Sequence, residues 1–216
     1  MQDERVEKDP HDAAARPRLE ARRRAFLDAA AQTFLEKGYA GTTLDDVIAR
    51  SGGSRQTLYQ LFGGKQGLFE ALVTERVRAI FGDFEGDELD GRPPEDVLPP
   101  LGVRFLTTIT CPAALGMYRL VFAESAAMKE VGEAFWRAGP QALRRLLTGY
   151  FAGQVKRGTL RLTRPDYAAS AFAGMLIGNL HTECVLGLRE TPGPEEIEDR
   201  VKEIVRLFLD LSLIHI

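Results

Sequence analysis

Between two glycine pairs, the stretch SGGSRQTLYQLFGGK, residues 51–65, places Arg55, Gln56, Thr57, Tyr59 and Gln60 within six positions, and each can donate a hydrogen bond. Leu58, Leu61 and Phe62 are interleaved at helical spacing, so about two turns of helix turn their apolar side inward and their donors outward. Donors arranged in this way suit a partner with base edges and phosphate oxygens. An arginine fork matches O6 and N7 of guanine and a glutamine amide matches the edge of adenine, while hydroxyls and lysines mostly hold the backbone. Ser54 stands where a side-chain oxygen caps the first amides, and Gly63 with Gly64 ends the helix.

Such a helix needs a frame, and the flanking residues supply one. Phe26, Leu27, Ala30, Ala31 and Phe34 form an apolar stripe in a first helix expected from Pro17 to Lys37, with Gly38 as its left-handed stop. Thr43 opens a second helix, its hydroxyl capping the amide of Asp45 or Asp46 while Asp46 reaches back to it. Two short helices joined by a glycine-containing turn and resting on a preceding helix form the pattern of a helix-turn-helix reader, whose second helix lies in the major groove. A connector from Lys65 to Phe81 follows and fades into FGDFEGDELDGRPPED, residues 81–96. Further helices are expected at about 95–110, 112–125, 127–157, 165–188 and 193–213, with Gly139 and Pro140 kinking or dividing the third. No stretch alternates with period two, so the chain is all-α. The organisation expected is an arm at 1–16, a helix-turn-helix domain at 17–64, and a larger helical domain at 65–216 for ligand binding and dimerisation.

Charge is distributed in keeping with that division. The 216 residues carry a net charge of −3, yet residues 16–65 hold nine bases against five acids and residues 66–216 hold 17 against 21. A basic region in an acidic chain favours a local nucleic-acid contact. No apolar run spans a bilayer and the N-terminus does not read as a leader, so a cytoplasmic protein with no membrane partner is expected. Cys111 and Cys184 read as buried thiols.

The segment FLEKGYAGTTLDDVIARSGGSRQTLYQLFGGKQGLFEALV, residues 34–73, resembles the N-terminal region of the TetR/AcrR transcriptional repressors. Its G-Y-x-x-T-T entry, S-x-x-T-L-Y-x-x-F reading helix and G-K-x-x-L-F exit carry the resemblance. Past residue 100, MYRLVFAESAAMKEVGEAFWRAGPQALRRLLTGYFAGQVKRGTLR is similar to AefR-like ligand-binding halves. The resemblance implies that Thr43, Tyr59 and Lys65 touch phosphates and that Ser54, Arg55, Gln56 and Thr57 meet bases or phosphates. Gly53 departs from the family at a position where an apolar residue is common, which predicts a looser turn. Leu61 replaces a frequent aromatic and removes a phosphate donor. The run Arg22, Arg23, Arg24 lies either near phosphates or on a solvated face.

In the second half, Phe105, Tyr118, Phe122, Trp136, Phe172, Met175 and Asn179 are the candidates for an effector pocket. Aromatic and methionine side chains lining a gap between helices suit an apolar or aromatic ligand. A two-fold reader of two half-sites calls for a homodimer. Phe172, Leu176, Leu180, Val201, Ile204, Val205 and Phe208 of the last two helices are the candidates for its interface. His181 and Cys184 share a helix face without a second ligand pair, so no metal site is expected. Neither a cofactor motif nor a nucleophile with its base is present at motif spacing, which argues against an enzyme. The expected function is a DNA-binding regulator, a repressor released from an inverted repeat by a small effector. The alternative is a helical small-molecule sensor or carrier without DNA binding.

Overall fold

The computed structural model describes residues 10–81 and 91–212, which form ten helices and no strand. The chain divides into two compact units between Leu72 and Val73. In the first, α1 (Pro10–Gly41), α2 (Leu44–Ser51), α3 (Arg55–Phe62) and the start of α4 (Lys65–Phe81) enclose one small core. Phe26, Ala30 and Phe34 of α1 are fully buried, as are Val47 of α2 and Leu58 of α3. Phe69 of α4 packs edge-on to both Phe34 and Tyr39, so the first turns of α4 belong to this core and the division falls inside the helix rather than at Lys65.

Helix α1 begins at Pro10, not at Pro17. Pro10 suits a first-turn position as Pro17 does, and Ala13, Ala14 and Ala15 are strong helix formers that carry the helix across Pro17. The arm expected over 1–16 therefore becomes helix at 10–16, and its remainder lies outside the described residues. Gly38 does interrupt α1, at φ 74° and ψ 171°. The hydroxyl of Thr42 donates to the Gly38 carbonyl (2.7 Å), and the Thr33 hydroxyl donates to Ala29 O (2.7 Å), so the buried polar groups at the break are paired.

The second unit holds the rest of α4 with α5 (Pro94–Thr110), α6 (Pro112–Glu124), α7 (Lys129–Ala138), α8 (Pro140–Lys156), α9 (Pro165–Leu186) and α10 (Pro194–Ser212). Five of these six complete helices start on proline, where the missing N–H costs nothing and φ is already helical. The Gly139–Pro140 pair divides α7 from α8. At the centre, Phe151, Phe172 and Phe208 of α8, α9 and α10 meet with ring centroids 5.0–6.2 Å apart. Close packing of α5 on α10 depends on Gly102, where a Cβ would lie 2.7 Å from Val201 Cγ1. Among the described residues, no single helix is long and apolar enough to cross a membrane. The terminal SLIHI falls almost wholly outside the described residues.

Candidate nucleic-acid interface and effector region

Local capping builds α3 from both ends. Ser54 Oγ accepts from the Thr57 amide (3.1 Å) and lies 2.8 Å from Thr57 Oγ1, while Gly63, at φ 72°, returns its amide to Tyr59 O. The helix before it is held likewise. Thr43 Oγ1 accepts from the Asp46 amide (3.2 Å), and the Thr43 amide and hydroxyl both donate to Asp46 Oδ2 (2.9 and 2.7 Å). Hydrogen bonds from Lys37 and Thr43 hold the Asp46 carboxyl well below the usual carboxylate range.

The turn between the two helices is closely packed. A Cβ on Gly53 would collide with the ring of Phe26, whose Cε1 would be 2.6 Å away. The looser turn expected from glycine here is thus not what the residue provides. It makes room for a buried phenylalanine of α1. Arg22 of α1 closes the same turn, donating from Nη1 to Gly52 O (3.2 Å) and Ser51 O (3.4 Å) at the end of α2. Of the basic run, Arg22 is thereby tied to this turn while remaining exposed.

On the outer face of α3, Gln56, Tyr59 and Gln60 are exposed. Arg55 is exposed too, but its Nη2 lies 2.6 Å from both carboxylate oxygens of Asp45 on α2. That pairing joins residues ten positions apart, and helical periodicity within either short helix does not reveal it. Lys65 is placed differently from the outer face of α3. Its Nζ donates to Tyr39 O and Thr42 O (3.0 Å each) and sits 4.6 Å from the centre of the Tyr39 ring. Arg50 pairs with Glu36 and Lys37 with Asp46, so three of the basic side chains in this unit, Arg55 included, meet acids on neighbouring helices. Arg22 and Lys65 bond to carbonyls and keep their charge uncompensated by these contacts.

In the second unit the seven expected pocket residues lie in different environments. Phe105 and Phe172 are 5% and 1% exposed in the core, whereas Phe122, Trp136 and Asn179 are exposed. A helical stripe reports that a residue faces something apolar, not which neighbour it faces. Tyr118 and Phe122 do come together, and Tyr118 also meets two residues outside that set, Phe135 and His181. Elsewhere, a groove of about 1030 Å³ runs along α5 and α10 over Pro99, Pro100, Val103 and Val205.

The expected interface residues are corrected in the same way. Phe172, Leu176, Leu180, Val201, Val205 and Phe208 are all at most 5% exposed within their own unit and cannot meet a partner as the chain is folded. Ile204 alone of the seven is partly exposed. The apolar residues that α9 and α10 turn outward are Tyr167, Leu186, Leu207 and Leu211. Helix α9 is interrupted at Gly178 (φ 42°, ψ −144°), and Arg200 of α10 donates there to Leu176 O (3.0 Å) and Met175 O (3.3 Å).

Residues 26–72 match the model of the bacterial regulatory proteins of the tetR family, and residues 96–211 match that of the AefR-like transcriptional repressor C-terminal domain. The uncharacterized HTH-type transcriptional regulator YvkB of Bacillus subtilis (strain 168) is 26% identical over 174 residues, 79% of this chain and 87% of the relative. Among solved structures, a protein of Mesorhizobium loti MAFF303099 assigned to the TetR family superposes with a TM-score of 0.74 at 25% identity, covering 91% of this chain and 99% of that one. The flavonoid-responsive regulator FrrA superposes with a TM-score of 0.69, also at 25% identity, over 90% of this chain and 98% of its own.

Proposed function

The chain belongs to the TetR family of transcriptional regulators, with an AefR-like C-terminal half, and from that premise we propose a homodimeric repressor that leaves an inverted-repeat operator when a small apolar or aromatic effector binds. The observation that carries the reading is α3, a short helix capped at both ends with Gln56, Tyr59 and Gln60 exposed along it. A rigid helix with exposed donors enters a major groove without first having to order itself. Arg55 and Gln56 read base edges. Ser54, Thr57, Thr43, Tyr59 and Lys65 position the backbone, the last three from outside the front of the helix.

Two copies of α3 are presented by a dimer formed through the outward faces of α9 and α10. Tyr167, Ala171 and Gly174 of α9 and Ile204, Leu207 and Leu211 of α10 are the residues left for that contact. The effector acts from the second unit, and α4, unbroken from Lys65 to Phe81, carries its effect to the reading helices. A ligand that favours the non-binding arrangement by about 1–3 kcal/mol lowers operator affinity roughly 5- to 150-fold. The flavonoid response of FrrA supports an aromatic effector here. The protein works in the cytoplasm, where its operator is.

Enrichment from a random duplex pool at two salt concentrations, with Gln56→Ala beside the parent, tests the reading. An inverted repeat that weakens with salt and changes in the variant is the expected outcome. No enrichment, with equal residual binding by both proteins, would leave only a ligand-binding helical protein.

A further inference from the structure

Between α6, α7 and α9 a cluster forms that DNA binding does not use. The Tyr118 ring stands edge-on to His181 with centroids 4.3 Å apart, edge-on to Phe135 at 5.0 Å, and 6.2 Å from Phe122. Arg119 pins this arrangement by donating to the carbonyls of Val185 (2.7 Å) and Cys184 (2.8 Å), which ties α6 to the end of α9. His181 is 6% exposed, and its Nε2 is buried with no hydrogen-bond partner among the described residues. Phe122, beside Tyr118, is 63% exposed, so the cluster reaches the surface there.

An unpaired buried nitrogen costs stability, and a residue that served packing alone would do so better as phenylalanine. Cys184, on the same helix face, directs its thiol to Glu190 O (3.5 Å), so the two do not assemble as metal ligands. Building on the effector-released reading above, we infer that this cluster is where the effector is recognised, and that the effector is a hydroxylated aromatic. Its ring enters between Phe122, Tyr118 and Phe135, and its hydroxyl bonds to His181 Nε2.

The chemistry selects the class. Burial pushes the imidazole pKa down, which favours the neutral ring. The Nε2 of a neutral ring either accepts or donates, according to its tautomer. A phenolic hydroxyl can answer both. A carboxylate can only accept and would pair best with an imidazolium, which this environment disfavours. Edge-to-face packing around Tyr118 suits an aromatic rather than an aliphatic body.

The full-length protein, labelled with ¹⁵N at its three histidines, is titrated with 2-naphthol and 4-phenylphenol, and with naphthalene and biphenyl as rings lacking the hydroxyl. The hydroxylated probes are expected to shift the His181 Nε2 resonance and to bind about tenfold or more tightly than the bare rings. His181→Phe should bring that preference close to one and leave operator affinity without ligand unchanged. His181→Gln, which keeps a hydrogen-bonding end, should retain part of the preference. Equal affinity for both kinds of ring, an unmoved resonance, or no binding of any probe would overturn the assignment. Operator binding with no hydroxyl preference would defeat this inference and spare the regulator. A His181-dependent preference in a protein that binds no operator would do the reverse.

Discussion

Gly53 and Phe26 occupy one another's space. The α2–α3 turn lies so close to the Phe26 ring that a Cβ at position 53 would be 2.6 Å from Cε1 and nearer still to Cζ. Overfilling a packed site forces side chains off their rotamers or moves backbone. Gly53→Val is expected to destabilise the first unit by about 1–3 kcal/mol. Adding Phe26→Leu should recover part of that loss, which a double-mutant cycle in urea would measure. Additive losses would show that the two residues are not coupled.

Asp45 holds Arg55 at the front of α3 and also places a negative charge beside it. In the proposed complex that charge faces phosphates. Asp45→Asn is expected to strengthen binding to unrelated duplexes and to reduce the margin by which the operator is preferred, because Arg55 is then no longer held in place. The salt dependence of binding should steepen by roughly one phosphate equivalent. Weaker binding to all sequences at every salt concentration would contradict this.

Ser54 has a cap to provide whether or not DNA is bound. Ser54→Ala removes that oxygen and should cost about 1 kcal/mol of stability. Ser54→Asp keeps a capping oxygen and adds charge where phosphates are expected. Thermal denaturation should therefore separate Ala from the parent, while operator binding should fall most for Asp. An Asp variant that binds DNA as the parent does would remove Ser54 from the interface.

Leu207 and Phe208 are neighbours with opposite environments, 49% and 4% exposed. Leu207→Glu should give a folded monomer by analytical ultracentrifugation, with operator affinity lost along with the dimer. Phe208→Ala leaves a cavity beside Phe151 and Phe172 and should cost about 3–5 kcal/mol of stability. If Phe208→Ala were instead a stable monomer, the interface would include the residue now placed in the core.

Arg200 supports the break in α9. It satisfies carbonyls of Met175 and Leu176, and Gly178 leaves its guanidinium the space that a Cβ would take. Arg200→Met should cost about 1–3 kcal/mol, because those carbonyls lose their donor. Gly178→Ala should be destabilising as well, since it adds a clash to a backbone with positive φ. Unchanged melting in both variants would rule out this coupling.

What the sequence determined by itself was local. Thr43 and Ser54 cap because an oxygen precedes free amides by two or three residues. Gly38, Gly52 and Gly63 take positive φ where helices stop, and proline starts helices where no N–H is needed. Each of these rests on contacts a few residues apart, so a linear reading finds them, and the helix-turn-helix with its donor-bearing face follows from them. The tertiary structure alone decided what each apolar face meets. The stripes of α9 and α10 look equally suited to a partner or to a core, and only packing against α8 assigns Phe172 and Phe208 to the core and leaves Leu207 and Leu211 outside. It also decided the long-range pairs, Asp45 with Arg55, Phe26 with Gly53 and Arg200 with the α9 carbonyls, and it left His181 Nε2 buried without a hydrogen-bond partner among the described residues. Periodicity shows that a side is buried, but the identity of the neighbour depends on how separate helices come together.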